Sequence, residues 1–222
     1  MICGIRIEVN DSNAAAYLRY ESVISTCFYP ERNRATNEIL ENTYFCVDRG
    51  MNITIKPGGV ISIRGSLHKF RYGKNTHTNF SHYDVGETIA KLCTRYGIDS
   101  QKCRIKSLEF GVNFVPKISV KNMLSCLRGF DNKLLSEPID KSRKIYNAKC
   151  TMLDRYIVKY YDKGLLLGLP TLNMMRFEYK TRRMADIQKL GIGTLYDLTD
   201  KEKYLLLCIK LCDTSKKVTL FD

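Results

Sequence analysis

Apolar and polar residues alternate along several short segments of this chain, most clearly in "IKSLEFGVNF" at residues 105–114. A period of two is typical of a β-strand, because successive side chains point to opposite faces of the sheet. One face would carry Leu108, Phe110, Val112 and Phe114, and the other Ser107, Glu109, Gly111 and Asn113. An unpaired carboxylate is costly to bury, so Glu109 predicts that the second face is open or lined by partners of opposite charge.

Similar alternation predicts further strands on both sides of this segment. "GIRIEV", "TYFCV" and "MNITIK" are examples in the N-terminal part. "KPGGVISIRGSL" predicts a hairpin, in which Pro57, Gly58 and Gly59 form the turn and "VISIRGSL" the returning strand. After Pro138 come three strand-like segments, "RKIYNA", "DRYIVKYYDKG" and "NMMRFEYKTR", and residues 216–222 predict a frayed or edge strand.

Helices are predicted where apolar residues recur every three or four positions. Residues 82–97 follow Ser81, a favourable N-cap, carry one apolar stripe and end at Gly97. The other predictions are a short helix over "SVKNMLSCLRGF" that ends near Gly129, helices at residues 182–192 and 199–212, a polar loop over "FRYGKNTHTNF", and either helix or strand at residues 13–28.

This order of elements predicts the fold class. Strands come first, two helices are inserted among them, further strands follow, and helices come last. We therefore expect an α+β fold in which an antiparallel sheet has helices packed on one face. Without a clear linker, residues 1–222 are expected to form a single domain.

The chain is strongly basic, with 36 Lys and Arg residues against 23 Asp and Glu, a net charge of +13 and a pI near 9.3. The basic residues are spread along the chain without a polybasic tail, which predicts a folded basic surface. Such a surface favours a polyanion as partner, nucleic acid first and an anionic membrane surface second. No apolar run approaches the ~20 residues that a membrane-spanning helix needs.

The cysteine content favours a reducing compartment. Nine cysteines are present, an odd number without a C-x-x-C pair, and the N-terminus "MICGIRIEVN" lacks the pattern of a signal peptide. The three histidines form no zinc-binding pattern with the cysteines. We therefore expect free thiols and a cytoplasmic protein. Because the chain has no apolar run long enough to span a bilayer, nucleic acid is the expected partner and a membrane is not.

Three predicted strands carry one polar face each. "MRFEYK" would place Arg176, Glu178 and Lys180 together, "VKYYDK" Lys159, Tyr161 and Lys163, and "KIYN" Lys144 and Tyr146. If these strands share a sheet with residues 105–114, two carboxylates, several cations and one or two tyrosines meet on one face. Carboxylates hold divalent cations, cations stabilise charge on phosphate oxygens, and an activated phenol can attack phosphorus. The alternative is an ordinary ion-paired surface on strands whose tyrosines reflect β-propensity.

Four segments in a fixed order also resemble a known family. They are "ISIRGSLHKFRYGKN" (61–75), "IKSLEFGVNF" (105–114), "KIYNAKC" with "YIVKYYDKG" (144–164) and "MMRFEYKTRRM…KLGIGTLYDL" (174–198). Together they resemble the rolling-circle replication initiators of phages and plasmids that are related to the filamentous-phage replication protein, especially the versions in Bacteroidetes phages and plasmids. The resemblance spans about residues 60–205, and residues 1–55 would add N-terminal strands to the same domain.

The resemblance implies a nickase-like replication initiator fold and an origin-specific enzyme that nicks and rejoins one DNA strand. Such proteins use Mg²⁺ or Mn²⁺ and attack the phosphodiester with a tyrosine. They become linked to the 5′ phosphate and leave a free 3′-OH. The implied partner is replication-origin DNA, single-stranded or supercoiled, and a host helicase is left open as a second partner. The protein would act in the cytoplasm of a bacterial host.

The resemblance also assigns roles to residues. Tyr146, which precedes the "Y-[DN]-K" strand, is the first candidate nucleophile, and Tyr161 within that motif is the second. Glu109, at a position where relatives usually carry Asp, and Glu178 of the R-x-E motif are candidate metal ligands. The remaining candidates are Asn113 and His68 as additional metal ligands, Lys163 and Arg176 as groups that steady the scissile phosphate, and Lys69, Arg71 and Lys74 as DNA contacts.

The chain departs from many rolling-circle nickases in one respect. It lacks the strand with paired histidines, so metal binding would depend mainly on carboxylates. A rival interpretation is a basic DNA- or RNA-binding regulator that keeps the fold without cleavage. The two interpretations differ in whether Glu109, Glu178 and Tyr146 converge on one face.

Overall fold

Twelve strands lie in the part of the chain that the computed structural model describes, residues 2–33, 35–74, 76–78, 80–137 and 147–220. In chain order they are β1 Ile2–Asn10, β2 Tyr29–Arg32, β3 Ile39–Asp48, β4 Met51–Lys56, β5 Val60–Ser66, β6 Arg104–Phe114, β7 Leu127–Phe130, β8 Lys133–Leu134, β9 Ala148–Met152, β10 Tyr156–Asp162, β11 Met175–Thr181 and β12 Val218–Leu220.

Seven α-helices accompany the strands in the same described ranges. They are α1 Ser12–Ala16, α2 Leu67–Tyr72, α3 His82–Tyr96, α4 Val120–Cys126, α5 Lys163–Leu166, α6 Ala185–Gln188 and α7 Lys201–Ser215. As predicted, α3 begins after Ser81, which forms a capping box with Asp84, and ends at Gly97 in the left-handed conformation. No helix in this part of the chain combines the length and the apolar character needed to cross a bilayer.

The strands form a large sheet and a small one. The order in the nine-stranded sheet is β2-β3-β4-β5-β1-β6-β11-β10-β9, and in the three-stranded sheet β12-β7-β8. Neighbouring strands are antiparallel in every pair among the described residues. The predicted α+β class with an antiparallel sheet is therefore confirmed.

The pairing register gives the large sheet one buried and one open face. Ile7 of β1 lies opposite Ile63 of β5, and both are buried in a core that also contains Leu92 of α3. The next pair along, Arg6 opposite Arg64, is exposed on the other side. The apolar faces of the long helices thus cover the first side. We call the side that carries Arg6 and Arg64 the open face.

The end of β5 differs from its prediction. The returning strand was expected to continue through Leu67, but it ends at Ser66, whose side chain accepts a hydrogen bond from the backbone N–H of Lys69 and begins α2. Leu67, His68 and Phe70 are buried, so tertiary packing stabilises a helix of six residues. The start of the predicted polar loop is therefore helical.

Other boundaries also differ. The helix expected to end near Gly129 ends at Cys126 and is followed by β7, because that segment pairs with β12 and β8. Only residues 185–188 of the helix predicted at 182–192 are helical. Residues 13–28 contain α1, a π-helical turn at Tyr17–Glu21 and a 3₁₀ turn at Ser25–Cys27. Most of the predicted strand "RKIYNA" lies outside the described residues.

Candidate active site on the open face

Strands β6 and β11 lie side by side and bring two predicted polar faces together. The register pairs Arg176 with Asn113, and Glu178 with Gly111. Directly opposed residues of antiparallel strands project from the same face. Arg176, Glu178 and Asn113 therefore meet on the open face, and Glu109 lies two residues from Gly111 on the same side of β6.

Arg176 is at the centre of a buried hydrogen-bond network. Its Nε donates to Glu178 Oε1 at 2.6 Å, its Nη1 donates to Asn113 Oδ1 at 2.7 Å, and its Nη2 contacts Cys3 Sγ. The hydroxyl of Tyr161, on the neighbouring strand β10, donates to the same Glu178 oxygen at 2.8 Å. Arg176 and Glu178 are only 2% and 5% exposed. Charge-assisted bonds of this kind are strong and directional, so they fix the orientation of Glu178.

A β-bulge brings Cys3 into this network. The register between β1 and β6 shifts between Ile2, which pairs with Phe110, and Gly4, which pairs with Glu109, so that Cys3 is the extra residue. Bulges redirect side chains and occur often beside active sites. Gly4 leaves room for Glu109, since a Cβ at position 4 would lie 3.0 Å from the Glu109 Cβ. Burial raises the pKa of the Cys3 thiol to about 11, so the thiol is protonated at neutral pH.

Glu109 has weaker partners than Glu178. Its Oε2 lies 3.9 Å from Lys159 Nζ and 3.7 Å from Lys180 Nζ, which is longer than a hydrogen bond. Burial and the neighbouring Glu178 carboxylate raise the pKa of Glu109 above its ordinary value, although both lysines act in the opposite direction. The ionised form of a carboxyl group with a raised pKa is stabilised by an additional cation nearby.

The other two titratable groups of the network are held in opposite protonation states. Burial acts to raise the pKa of Glu178, but the attraction of Arg176 outweighs it, with help from Lys159 and the Tyr161 hydrogen bond, so this pKa lies below its ordinary value. Burial and the negative charge of Glu178 raise the pKa of Tyr161 well above its ordinary value. At neutral pH Glu178 is therefore an ionised acceptor and Tyr161 a neutral donor.

Cys3, Glu109 and Glu178 form a group that could hold a metal ion. Each offers one ligand atom, and these atoms lie within 4.8 Å of one another. The two carboxylates supply the hard oxygen ligands that Mg²⁺ and Mn²⁺ prefer. Because the Glu178 carboxylate helps to raise the pKa of Glu109, a cation between the two would stabilise both negative charges. Cys3 would first have to lose its proton to bind a metal. The group therefore fits a hard divalent cation held mainly by the two glutamates.

Lys163 and His68 lie near the network but outside this group of three. Lys163 begins α5 and is not part of β10 as predicted; burial first, and then Arg176, lower its pKa. The Nε2 atom of His68 in α2 lies 3.1 Å from Thr76 Oγ1. Burial first, and then Lys163 and Arg176, lower the pKa of His68. A metal-binding role for His68 stays a prediction.

The first candidate nucleophile, Tyr146, lies outside the described residues. The next described residue is Asn147, and Ala148 of β9 pairs with Tyr161. Tyr161 itself is 7% exposed and bonded to Glu178. The choice between the two tyrosines therefore stays a prediction.

The predicted DNA contacts have different surroundings. Lys69 and Lys74 are exposed. Arg71 is paired with Asp84 at 3.0 Å and Glu87 at 2.8 Å, contacts that join α2 to α3. A role in DNA binding stays a prediction for all three basic residues.

Three residues at the site were not among the predicted site residues. Lys159 and Lys180 were placed on polar strand faces by alternation, but their position beside Glu109 follows from the strand order, which the sequence does not contain. Cys3 carried no signal at all, because the bulge interrupts the alternation of β1. Gly4 is present in the sequence, but its position opposite Glu109 follows only from the pairing register.

Comparisons with known proteins give limited information. No protein-family model matches the chain, and no curated protein matches it. Among solved structures, the chain is similar to the structure of a rolling circle replication initiator protein from Geobacillus stearothermophilus. The TM-score is 0.46 at 11% sequence identity, over 85% of this chain and 77% of that one. A likeness of this size does not show a family for this chain.

Proposed function

We propose that this protein initiates rolling-circle replication of a phage or plasmid by nicking and rejoining one strand of origin DNA in a metal-dependent reaction. The observation that carries the proposal is the convergence of Glu109 and Glu178 beside Arg176 on the open face. The four ordered segments that resemble the filamentous-phage group of initiators support it, as does the net charge of +13.

The proposed step is attack by a tyrosine oxygen on the phosphorus of the scissile phosphodiester. The new bond joins that oxygen to phosphorus while the bond from phosphorus to the 3′ oxygen breaks. The proton of the phenol ends on the released 3′ oxygen. The products are a 5′-phosphotyrosyl link and a free 3′-OH, and the reverse transesterification rejoins the strand.

Each residue of the site would have a distinct role in this reaction. Glu109 and Glu178 would hold Mg²⁺ or Mn²⁺, and the bound ion would draw negative charge from the phosphate oxygens. Arg176 keeps Glu178 ionised and oriented, and Lys159 beside Glu109 offers a cation to the phosphate. Because Tyr161 is buried and donates to Glu178, we assign the attack to Tyr146 first and to Tyr161 second.

Nicking of labelled origin DNA in the presence of Mn²⁺ tests the proposal. Wild-type protein should cleave one strand and leave a 3′-OH that a polymerase extends. Glu109→Gln should reduce the rate at least 100-fold. Glu41→Gln is the matched control, since it removes the same charge from an exposed position of β3 and should cleave like wild type. Equal cleavage by Glu109→Gln and wild type would contradict the role of the acidic pair.

One observation favours the rival function, a DNA- or RNA-binding regulator without cleavage. Glu178 already has Arg176 and Tyr161 as partners, and Glu109 has two lysines within 4 Å, so the carboxylates could serve the structure alone. In that case the protein would bind DNA in a salt-sensitive manner. It would form no nick and no covalent adduct with Mn²⁺ at any concentration.

A further inference from the structure

Outside the acidic cluster, two arginines lie directly opposite each other on the open face. Arg6 of β1 pairs with Arg64 of β5, and both side chains are exposed. The Cβ atoms of such a pair are about 4.5–5.5 Å apart, and like charges at this position destabilise a sheet. Among the residues that the structure describes, neither arginine has an ion-pair or hydrogen-bond partner. Both cations are therefore available to bind a ligand of opposite charge.

Aromatic and apolar residues continue this face toward the sheet edge. Arg64 lies opposite Asn52 of β4, which lies opposite Val47 of β3. Two residues before Val47 on the same side, Phe45 pairs with Tyr29 of β2, and their rings meet edge-on at 5.5 Å. Tyr29 is 53% and Val47 55% exposed. Phe45 is half-buried beside Tyr29. An exposed aromatic ring on a sheet offers a stacking surface to an unpaired base.

Counted in strands, Arg64 lies midway between the aromatic pair and the acidic cluster. Neighbouring strands are about 4.8 Å apart. Arg64 on β5 is three strands from Tyr29 on β2, and three strands in the other direction from Glu178 on β11. Measured across the strands, each separation is therefore about 14 Å. Along the strands, Glu178 is displaced by a further four residues, because it lies opposite Gly111 whereas Arg6 lies opposite Ser107. The open face offers rings, cations and carboxylates in that order.

We infer that Arg6, Arg64, Tyr29 and Phe45 form a binding track for single-stranded nucleic acid that leads to Glu109 and Glu178. The guanidinium groups bind the phosphates, and the rings stack on bases. A duplex hides the faces of its bases in its own stack, so the rings favour a single strand. The choice of DNA as the strand rests on the proposed function, whereas the binding itself requires no cleavage.

The phosphate contacts can be measured by salt titration. A labelled oligodeoxynucleotide is bound in EDTA, so that no nicking occurs, and its anisotropy gives the affinity at each salt concentration. Arg6→Gln and Arg64→Gln should each reduce the slope of log K against log salt by about 0.7, the value for one phosphate contact on a single strand. Arg128→Gln, which removes an exposed arginine from the small sheet, should reduce the slope far less.

The stacking contact is tested by a second set of variants. Tyr29→Ala should weaken single-strand binding about tenfold without changing the salt slope, and Tyr29→Phe should restore the affinity. Tyr83→Ala is the control, because Tyr83 is 71% exposed on α3, which covers the other side of the sheet. It should bind like wild type.

The inference fails if both arginine variants behave like Arg128→Gln. It fails also if Tyr29→Ala binds the single strand like wild type and the arginine variants lose as much affinity for a duplex of the same sequence as for the single strand. The open face would then bind a duplex. A different result would contradict the proposed function alone. In that case wild type never nicks DNA, although the arginine and tyrosine variants weaken binding as expected. If wild type nicks DNA and the Arg6, Arg64 and Tyr29 variants bind the single strand like wild type, only the inferred binding track is wrong.

Discussion

The orientation of the acidic cluster depends most on Arg176. This side chain donates hydrogen bonds to Glu178 and Asn113 and contacts Cys3, and both Arg176 and Glu178 have little access to water. Removing one partner of a buried ion pair leaves the other charge without compensation, which costs about 3–5 kcal/mol. A surface pair has no such cost, because water replaces the lost partner.

Replacing Arg176 with Met should therefore lower the free energy of unfolding by about 3–5 kcal/mol, as measured by urea denaturation. Arg183→Met is the control, since Arg183 pairs with Asp154 and both side chains are about two-thirds exposed. It should cost less than about 1 kcal/mol. Adding Glu178→Met to Arg176→Met should recover part of the loss. Equal costs for the two single variants would show that the buried pair contributes no more than a surface pair.

Asp197 gives a prediction of pH-dependent stability. Burial acts to raise its pKa, but hydrogen bonds from Lys203, Gly193 and Thr194 outweigh it and lower the pKa from 3.8 to about 2. Because the folded-state value is the lower one, the stabilisation is fully present above about pH 4 and is lost as the pH falls through about 2. The difference between the two values corresponds to about 2 kcal/mol.

Urea denaturation of wild type and Asp197→Asn should show this stabilisation directly. The variant should be about 2 kcal/mol less stable at pH 7, and the gap should narrow steadily below pH 4. Asp213→Asn is the control, because Asp213 pairs with Lys216 at an exposed position and should differ little from wild type at any pH. A gap that stays constant to pH 3 would contradict the assignment.

At the level of residues, alternation alone predicted which side chains share a face. Glu178 and Arg176 on β11, and Glu109 and Asn113 on β6, lie on common faces as expected. Val112 lies on the predicted apolar face of β6 but is 45% exposed. The contacts between strands could not be predicted, because they require the register.

The β6–β11 pair depends on a glycine. A Cβ at Gly111 would lie 2.2 Å from the Phe177 carbonyl oxygen and 3.0 Å from Glu178 Cγ. Since the first of these atoms belongs to the backbone, the two strands would have to move apart. Gly111→Ala should therefore destabilise the protein by about 1–3 kcal/mol and displace Glu178 from Arg176.

A second glycine provides the matched control. Gly86 lies inside α3, and a Cβ there would meet no atom within 4 Å. Gly86→Ala should raise the free energy of unfolding by about 0.5–1 kcal/mol, because alanine favours the helix. Thermal denaturation of both variants measures the contrast. Stabilisation by both substitutions would show that β6 and β11 can accept a side chain at position 111.

Among the elements, those with strong local signals were predicted best. Helix α3 has its cap, its apolar stripe and its terminal glycine within one continuous segment. Helix α2 and strand β7 are short and depend on contacts with distant segments, as the pairing of β7 with β12 shows. The local sequence pattern carries no information about contacts with distant segments. The α2 segment was therefore predicted as strand and loop, and the β7 segment as the end of a helix.

At the scale of the whole molecule, the strand order was the missing information. β1 lies between β5 and β6, and β11 pairs with β6 although a long stretch of chain separates them. The acidic pair exists only because β6 and β11 are neighbours. The sequence predicted the fold class and the two polar faces, but not that these faces meet.

Metal binding should stabilise the whole protein. A ligand that binds only the folded state adds about 2.7 kcal/mol at 100 times its Kd, so the melting temperature of wild type should rise with added Mn²⁺. Glu109→Gln should abolish the rise, whereas Glu41→Gln, with the same loss of charge on exposed β3, should retain it. An equal rise in all three proteins would place the metal elsewhere.

In the proposed reaction, the open face breaks a phosphodiester by forming a tyrosine–DNA link. Its most direct test is to incubate wild type with a single-stranded origin oligonucleotide and Mn²⁺, digest with trypsin and identify the nucleotide-bearing peptide by mass spectrometry. We expect the adduct on the peptide of residues 145–149, which contains Tyr146, with residues 160–163 as the second choice. An adduct on any other peptide, or none from a protein that binds the oligonucleotide, would contradict the proposed reaction.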